Sequence, residues 1–553
     1  MSKYTKISFV LGLLLGLILI AAMVYTTRDG IIVNLSSLDQ IASNISNRYV
    51  DRVSTQELKS AGIAGMLSIL DPYSELLEAR AYSGLLEETT GEFQGLGMEV
   101  IVRDNYLTVV STLEGTPAHR AGLHPGDRVV KINGENSIGI SSEEAVRRLR
   151  GEKGTVVRLT VIRPSQPGQL VFRVPRDVIE IKAVSFYGLN RENIGYVRLK
   201  KFSENSSQEV AQALLELKKS NPKGIILDLR GNPGGLLNEA VLVAALFLDG
   251  KKLIMETKGQ NPNLNQKFYS EGSAVEPDLP LAVLVSGGSA SASEIVAGAI
   301  QDWDRGVIIG DTTFGKGMVQ SILELKDGLA LKLTTAKYLT PSGRSIQKDS
   351  NQPEGLPISG SDTVDVTESH IFFTNGGRPV TDVGGIVPDI VIPRIKISSL
   401  EQQLTGQGLF FDFAVEYVGQ HPELLDQKEL DNFEVSDQIY RDFTAYLKVK
   451  NFTYHSDTRV MLDAFSGQAQ AEFESDLLAQ KLTGLEWLIE QEEERLLEHL
   501  KEEVKWSVKE AIVVNLQGEK ARYQEIWFNL HPEIKKAGEL INQPESYRRI
   551  LAG

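Results

Sequence analysis

Ser291 lies at a turn between an apolar run and a helical pattern, where a hydroxyl can act as a nucleophile. The strand-like run Leu281–Ser286 leads through two glycines to Ser291, and the helical pattern continues to Gln301. The N–H groups and the dipole at a helix start can stabilise a developing oxyanion. The same residues also fit a structural role, with Ser291 as N-cap and Glu294 as the N3 partner of a capping box. Taken alone, the pattern favours the cap, so a nucleophile needs further support.

A lysine between two glycines, Lys316 in the segment TFGKG, supplies that support 25 residues later. Its backbone is unobstructed on both sides, so its side chain can be directed into a site, although a solvated lysine in a tight turn is the structural alternative. A lysine with the ordinary pKa of about 10.4 cannot accept a proton at neutral pH. Burial in an apolar pocket lowers that pKa, and a neutral Lys316 can then take the Ser291 proton. The two residues together predict a Ser/Lys dyad.

A second strand and glycine-rich turn, the segment 227–235 with sequence LDLRGNPGG, has the composition of an anion-binding site. Successive backbone N–H groups in such a turn form a nest. Together with the N–H of Ala292, a donor from this turn predicts an oxyanion hole. A plain connection between a strand and a helix is the alternative interpretation.

Two rival interpretations of these segments are weaker. Residues 310–316 match most of a phosphate-binding P-loop, but Gly317 stands where Ser or Thr should bind magnesium, and residues 319–325 indicate a strand where that motif requires a helix. A Ser/His/Asp triad is less favoured, because no histidine lies near these segments in sequence. The sequence alone does not exclude the distant His370 as the histidine of such a triad with Ser291.

The elements that must position these residues fall into four regions. Residues 30–90 have helical spacing with a break at 71–74, and residues 93–180 have short β-rich runs with glycine turns and one helix at Ser142–Leu149. Residues 181–395 alternate strand and helix, which predicts an α/β layer structure. From about residue 400 the chain is helical again, with an acidic amphipathic helix over 485–514. The expected strands of the α/β region are Ile194–Leu199, Gly224–Leu229 and Leu281–Ser286, and its expected helices are Ser207–Ser220, Leu236–Leu248 and Ser291–Gln301.

Composition excludes several classes of protein. The 553 residues are 42% hydrophobic and 24% charged, as in a folded multidomain protein, and the formal net charge of −15 argues against a nucleic-acid binder. The chain has no cysteine, which excludes disulfides, thiolate metal sites and a cysteine nucleophile. The apolar run Ile7–Tyr25 follows two lysines and predicts an uncleaved membrane anchor, with a cleaved signal peptide as the alternative.

Several ordered motifs together resemble the carboxyl-terminal processing peptidases, also called tail-specific proteases. The resemblance covers roughly residues 35–395. It rests on SASE at 291–294, TFGKGMVQ at 313–320, DLRGNPGG at 228–235, LDPYS at 70–74, YLTPSGR at 338–344 and GGIVPD at 384–389. The resemblance implies an α/β serine-peptidase core with crotonase-like layers and an inserted β-rich PDZ domain. It also implies Ser291 as nucleophile, Lys316 as general base and Gln320 as the residue that orients the lysine. The implied oxyanion donors are Ala292 and Gly234, and Asp302 has a supporting role.

The predicted organisation is an α/β multidomain protein with helical segments at both ends. Its expected parts are an anchor or signal at 1–28, a helical region at 29–92, a PDZ domain at 93–178, the peptidase core at 179–398 and a helical extension at 399–553. In the PDZ domain, a glycine-rich turn can capture a terminal carboxylate through backbone N–H groups while the peptide adds as a strand. The predicted peptide-binding residues are Gly95, Leu96, Gly97 and Arg150. Arg150 is expected either to couple ligand binding to the active site or to be a solvated turn residue.

The predicted function is a membrane-tethered serine endopeptidase that recognises protein C-termini and cleaves them, without a metal or other cofactor. The expected location is the inner membrane, single-pass, with the catalytic body on the periplasmic side. The alternative is a non-catalytic PDZ receptor or scaffold that binds tails without turnover. A peptidase held inactive until a partner docks is a third possibility, in which the C-terminal helices form an adaptor-binding or homo-oligomer surface, unless they pack only against their own neighbours.

Overall fold

A computed structural model describes residues 39–164, 166–348, 370–393, 397–425, 430, 433–528 and 531–553. The chain divides into two compact units, one formed by residues up to Tyr82 together with Gln320–Thr335, and the other by Ser83–Val319 with Ala336–Gly553.

The smaller unit contains a helical stretch at residues 39–48, followed by the well-capped helix Thr55–Leu67. Ser54 and Glu57 form its capping box, in which each side chain accepts the backbone N–H of the other residue. The following turn is held by Asp71, whose carboxylate accepts bonds from the Ser74 and Thr334 hydroxyls at 2.9 and 3.0 Å. The strand Glu75–Leu77 then pairs antiparallel with residues 330–332. This unit also contains the start of the helix Ala79–Thr90 and most of the strand Met318–Glu324.

In the larger unit, residues 98–175 form a β-sheet domain with its own apolar core. The polypeptide enters and leaves this domain through an antiparallel pair, Glu92–Gly95 with Asp177–Glu180. The strand Met98–Arg103 is at one edge of the sheet, and the helix Ser142–Leu149 contacts it. The remaining elements are the strands Tyr106–Thr112, Arg128–Ile132, Glu135–Asn136, Val156–Ile162 and Gln169–Pro175, and the short helix Pro117–Arg120.

A second, mostly parallel sheet carries the segments that the sequence marks as catalytic. In spatial order its strands are Val184–Leu189, Gly195–Leu199, Ile225–Asp228, Leu281–Val285, Val307–Gly310 and Ile390–Val391. The first pair is antiparallel and the others are parallel. One face packs against the helices Ser206–Lys218, Leu237–Ala245 and Ala292–Asp302. The six predicted strand and helix segments named above therefore form close to their predicted limits. The first turns of such helices lie beside the carboxyl ends of parallel strands, where sites on α/β sheets form.

The C-terminal part of the chain covers the other face of this sheet. Ile534, Leu540 and Tyr547, from the last two helices, pack with Tyr523 against the sheet's second apolar face. A parallel sheet needs helices on both faces, and this chain provides one of its two layers from residues far along the sequence. The helices of the C-terminal region are Ser399–Gly406, Leu409–Gln420, Asp437–Val449, Asp457–Glu472, Asp476–His499, Lys501–Gln517, Pro532–Ile541 and Pro544–Ala552.

The predicted continuous helix over 485–514 differs from the structure. Two helices, Asp476–His499 and Lys501–Gln517, meet at Leu500. Its apolar stripe is not uniformly buried, because Leu485 and Leu488 are exposed while Val504 and Val508 lie in the core of the helical region. The predicted helical periodicity is therefore correct, but the apolar stripe is exposed in the first helix at Leu485 and Leu488 and buried in the second at Val504 and Val508. Shorter elements complete the larger unit: the strands Leu253–Lys258, Lys267–Tyr269, Ile371–Phe373 and Pro379–Thr381, the end of Ala330–Leu339, and the single turns Pro262–Leu264, Pro422–Leu425 and Glu519–Ala521.

The α/β fold class with a PDZ-like sheet and helical ends is confirmed, but the membrane location is contradicted. In the part of the chain that the structure describes, no helix combines the length and apolar character that a membrane crossing requires. This finding contradicts the prediction of a single-pass inner-membrane protein with a periplasmic catalytic body. The predicted anchor itself, Ile7–Tyr25, lies outside the described residues.

Candidate active site

Ser291 occupies the turn between the strand Leu281–Val285 and the helix Ala292–Asp302, in a backbone conformation that few non-glycine residues adopt. Its φ is +52° and its ψ is −110°. Such a conformation costs about 1–3 kcal/mol and persists only where the surroundings enforce it. The helix that follows is buried along its whole length, and the Glu294 carboxylate accepts the Ser291 N–H, which is the carboxylate half of the predicted capping box. Ser291 is thus fixed in a strained turn at the start of a rigid helix.

Two glycines, Gly315 and Gly317, flank Lys316 and allow its segment to pack closely against a neighbouring part of the chain. Gly315 has φ +89°, and a Cβ there would lie 2.9 Å from the Lys348 Cβ. A Cβ on Gly317 would lie 2.8 Å from the backbone nitrogen of Gln347. Both glycines therefore let the Lys316 segment pack directly against the chain at 347–348, which a larger residue would prevent.

The Glu294 carboxylate joins the two segments, and sequence reasoning assigned it only the cap. One of its oxygens accepts the Ser291 N–H at 2.7 Å and the Lys316 N–H at 2.9 Å. The two nitrogens are therefore at most 5.6 Å apart, the two bonds taken end to end. The other oxygen accepts the Thr313 hydroxyl at 2.6 Å and the Gly315 N–H at 2.7 Å. Burial raises the pKa of Glu294 despite these four hydrogen bonds, each of which favours the ionised form.

The Tyr338 hydroxyl makes the corresponding link on the carbonyl side. It lies 3.1 Å from the Ser291 carbonyl oxygen and 2.9 Å from that of Lys316, so it donates to both in a shared bond. These two oxygens are at most 6.0 Å apart. The side chain is buried, and burial together with the Glu294 charge raises the pKa of the Tyr338 hydroxyl well above its usual value, which keeps it a donor. Two side chains thus hold the backbones of Ser291 and Lys316 beside each other.

Gly234 lies directly against Ser291. A Cβ on Gly234, whose φ is +102°, would be 2.9 Å from the Ser291 Cβ and 3.0 Å from the Ala292 nitrogen. The Ala292 N–H is the first of its helix and has no acceptor within it. The Gly234 N–H, however, donates to the Asn232 side-chain oxygen at 2.9 Å. Gly234 therefore lies beside Ser291, but its N–H donates to Asn232 in this conformation, and its role as an oxyanion donor stays a prediction.

Gln320 belongs to the smaller unit, while Ser291 and Lys316 belong to the larger one. Its amide donates to the Thr334 hydroxyl at 3.4 Å, and that hydroxyl in turn donates to Asp71. The role of Gln320 in orienting the lysine stays a prediction.

Asp302 ends the helix that begins after Ser291, about 15 Å away at 1.5 Å per residue. Its carboxylate accepts the Arg344 guanidinium at 2.8 Å and the Ser342 N–H at 2.9 Å, and both charged side chains are about 1% exposed. Asp302 and Arg344 thus form a buried ion pair, and the supporting role of Asp302 stays a prediction. The histidine considered for a triad, His370, has a side chain that is 78% exposed and pairs with Asp382.

Three of the four predicted peptide-binding residues, Gly95, Leu96 and Gly97, form a tight turn in the β-sheet domain. Gly97 has φ +76°, and a Cβ there would lie 2.3 Å from Thr116. Leu96 is buried, and its carbonyl accepts the Ala118 N–H. Gly95 is the last residue of the strand that enters the domain.

Arg150 is not a freely solvated turn residue in this conformation. Its guanidinium donates to both oxygens of Glu87 at 2.6 and 2.7 Å. It also lies 5.2 Å from the centre of the Phe93 ring. Arg150 therefore connects the β-sheet domain to the helix Ala79–Thr90.

Comparison with known proteins identifies each large region of the chain. Residues 193–356 match peptidase family S41, residues 108–163 match a PDZ domain, and residues 400–541 match the probable PDZ-protease C-terminal helical domain. The carboxy-terminal-processing protease of Bartonella bacilliformis is 40% identical over 348 residues, which are 62% of this chain and 80% of that protein. The chain belongs to the carboxy-terminal-processing serine proteases of family S41.

The chain is also similar to further proteins. A probable CtpA-like serine protease of Staphylococcus aureus is 34% identical over 385 residues, covering 69% of this chain and 75% of that protein. Among solved structures, the photosystem II D1 C-terminal processing protease is 26% identical, covering 65% of this chain and 88% of that one with a TM-score of 0.36. The predicted family and the predicted class of enzyme, a serine peptidase with a PDZ domain, are confirmed.

Proposed function

We propose that this protein captures the C-terminus of a protein on its PDZ domain and cleaves the tail with Ser291 and Lys316. The observation that supports this most is the pair of shared hydrogen-bond partners, Glu294 and Tyr338. The bond between Ser291 and Glu294 also belongs to the local capping box, whereas the bonds of Glu294 and Tyr338 to Lys316 join residues that are 22 positions apart in the chain. Each bridges the two residues that the chemistry requires together.

The proposed reaction is an acyl transfer in two steps. The Ser291 hydroxyl attacks the peptide carbonyl carbon while a neutral Lys316 takes its proton, and the oxygen charge that develops is stabilised by backbone N–H groups. Lys316 then passes the proton to the leaving amine as the C–N bond breaks. Water next attacks the ester on Ser291 while Lys316 accepts its proton, and Lys316 passes that proton to the Ser291 oxygen as the ester bond breaks and the acid product leaves.

The oxyanion donors of the proposal are the N–H groups of Ala292 and Gly234. Because the Gly234 N–H donates to Asn232 in this conformation, a small rotation of that peptide unit must accompany substrate binding. Gln320 is proposed to orient the amine of Lys316, and the buried pair of Asp302 with Arg344 to support the helix behind Ser291.

Tail capture is proposed at the edge strand Met98–Arg103. A free strand edge beside the helix Ser142–Leu149 lets a peptide add by main-chain pairing, with its carboxylate at the turn formed by Gly95, Leu96 and Gly97. Main-chain pairing carries little sequence information, so preference is expected mainly for an apolar residue at the end of the tail.

A cleavage experiment on the full chain tests both halves of this proposal. Peptides with an apolar last residue are offered with a free and with an amidated C-terminus, and the products are identified by mass spectrometry. Wild-type protein should cleave the free tail faster than the amidated one. The Ser291→Ala and Lys316→Ala variants should cleave neither, while the control Lys337→Ala, at an exposed lysine of a nearby strand, should match wild type.

The outcomes also separate the peptidase from a tail-binding receptor. Binding of the free tail by wild-type protein without any cleavage would favour the receptor and remove the peptidase. Cleavage that persists in either active-site variant would contradict the Ser/Lys mechanism.

A further inference from the structure

A buried cluster of charges lies at the carboxyl end of the strand Ile225–Asp228, one turn before the Gly234 segment. The Asp228 carboxylate is fully buried and accepts bonds from the Tyr196 hydroxyl at 2.6 Å and from Arg198 at 2.8 Å. The Arg230 guanidinium adds two further bonds, from Nη2 at 2.6 Å and from Nε at about 3 Å. Burial opposes ionisation of Asp228, but the two arginines hold its pKa below the ordinary range.

The C-terminal region adds a second carboxylate to this cluster. Buried charges are stable where they are paired and hydrogen-bonded, and Arg230 has such a partner in Glu533. Glu533 accepts from Arg230 Nη1 at 3.0 Å, and the His531 Nδ1 lies 3.0 Å from the same nitrogen. Burial raises the pKa of Glu533, but His531 and Arg230 outweigh it, so the net shift is downward and favours the charged form.

The segment that follows Arg230 is bonded to the turn that carries Ser291. The Gly231 N–H donates to the Ser286 hydroxyl at 3.0 Å. The Asn232 carbonyl accepts the Ala290 N–H at 3.0 Å and the Ser293 hydroxyl at 2.9 Å. A shift at Arg230 would therefore be transmitted through a few hydrogen bonds to Ala290 and Ser293, which lie on either side of Ser291 in the chain.

We propose that Glu533 and His531 are positioning residues for the active site, which they reach through Arg230. The C-terminal region thereby holds the 231–234 segment against the turn of Ser291, and catalysis in this chain depends on a region that the peptidase-family match at residues 193–356 does not include. This inference rests on the proposed function, since it assigns a role in the same reaction.

The helix that carries Glu533 has its own apolar attachment to the sheet. Ile534, Ala537 and Leu540 are buried against the strands, independently of the charge cluster. The substitution Glu533→Gln keeps the size of the side chain and leaves this attachment intact. It should therefore alter the position of Arg230 without detaching the helix.

The test compares two substitutions on one helix in the full-length protein. Glu533→Gln should lower kcat about tenfold with KM unchanged, because displacements of about 1 Å at a reacting group cost up to about a hundredfold. Glu539→Gln is the matched control, since Glu539 is exposed and pairs only with Lys536 among the described residues. It should keep the wild-type kcat. Glu533→Asp, which retains the charge, should recover part of the loss.

A second readout does not depend on activity. Amide hydrogen exchange of the peptide 229–236 should be faster in Glu533→Gln than in Glu539→Gln. If wild-type protein fails to cleave any tail, the proposed function fails, and the exchange comparison still decides the present inference. Should Glu533→Gln not fold, His531→Asn takes its place, with an expected twofold to threefold loss of kcat and the same change in exchange. Equal kcat and equal exchange in the test and control variants would overturn the inference.

Discussion

The Tyr338→Phe substitution removes one oxygen atom from the bridge between Ser291 and Lys316 and leaves the ring in place. The hydroxyl shares a single proton between two carbonyls at 2.9 and 3.1 Å. One lost bond and one buried carbonyl without a donor reduce the free energy of unfolding by about 1–3 kcal/mol. That range matches the roughly 1–3 kcal/mol of strain stored at Ser291. The turn can therefore relax in a substantial fraction of molecules.

The expected kinetic result is a fall in kcat of about tenfold, which corresponds to about 1.4 kcal/mol in the barrier, with KM for the tail unchanged. Steady-state kinetics on a tail-bearing peptide measures both constants, and urea denaturation measures the stability. KM should stay constant because the PDZ turn at Gly97 is not touched by the change.

Tyr547→Phe is the matched control for this prediction. The Tyr547 hydroxyl is also buried, accepts the Leu281 N–H at 2.9 Å and donates to the Leu281 carbonyl at 3.0 Å. Its loss should cost similar stability at the start of the strand, away from Ser291, and leave kcat at the wild-type value. A wild-type kcat in Tyr338→Phe, or an equal loss of kcat in both variants, would refute the reasoning that the bridge positions the dyad.

Three further predictions follow from the site. Gly234→Ala should lower kcat at least a hundredfold in a peptide-cleavage assay, because its Cβ would contact the predicted nucleophile. The control Gly272→Ala, with a positive φ but open space around the Cβ, should lose only about 1–2 kcal/mol of stability. Asp302→Asn should reduce the free energy of unfolding by about 3–5 kcal/mol through the uncompensated Arg344, with kcat per folded molecule unchanged when active sites are titrated. Burial raises the pKa of Glu294, so its carboxyl contributes most stability below its unfolded pKa, and that contribution is lost as pH rises through the folded pKa. In urea denaturation, wild type should therefore exceed Glu294→Gln in stability by more at pH 4 than at pH 7. An equal difference at both pH values would contradict the raised pKa.

The local elements of this fold were predictable because short-range patterns determine them. The predicted strand at 281–285 and the predicted helix after Ser291 are both present in the structure. The strand predicted after the glycines around Lys316 is also present, as Met318–Glu324. Apolar runs and turn residues act over a few positions, so they can be recognised without knowing what packs against them.

The contacts that join distant segments could not be predicted in the same way. A capping box already explains why a glutamate stands at position 294, so the sequence did not indicate its bonds to Gly315 and Lys316. Arg230 donates a hydrogen bond to Glu533, which is 303 residues further along the chain, and no local sequence pattern indicates that partner. The incorrect membrane location has a different origin, since it rested on the apolar run Ile7–Tyr25 and the two lysines before it.

Covalent labelling of Ser291 tests the central claim most directly, because it measures the activation of the hydroxyl without any substrate. A fluorophosphonate should modify wild-type protein at Ser291, as located by peptide mass spectrometry. The variant Lys316→Arg, whose guanidinium stays protonated and cannot act as a base, should label at least a hundredfold more slowly. Labelling of Lys316→Arg at the wild-type rate, or modification of a different residue in the wild-type protein, would contradict the account.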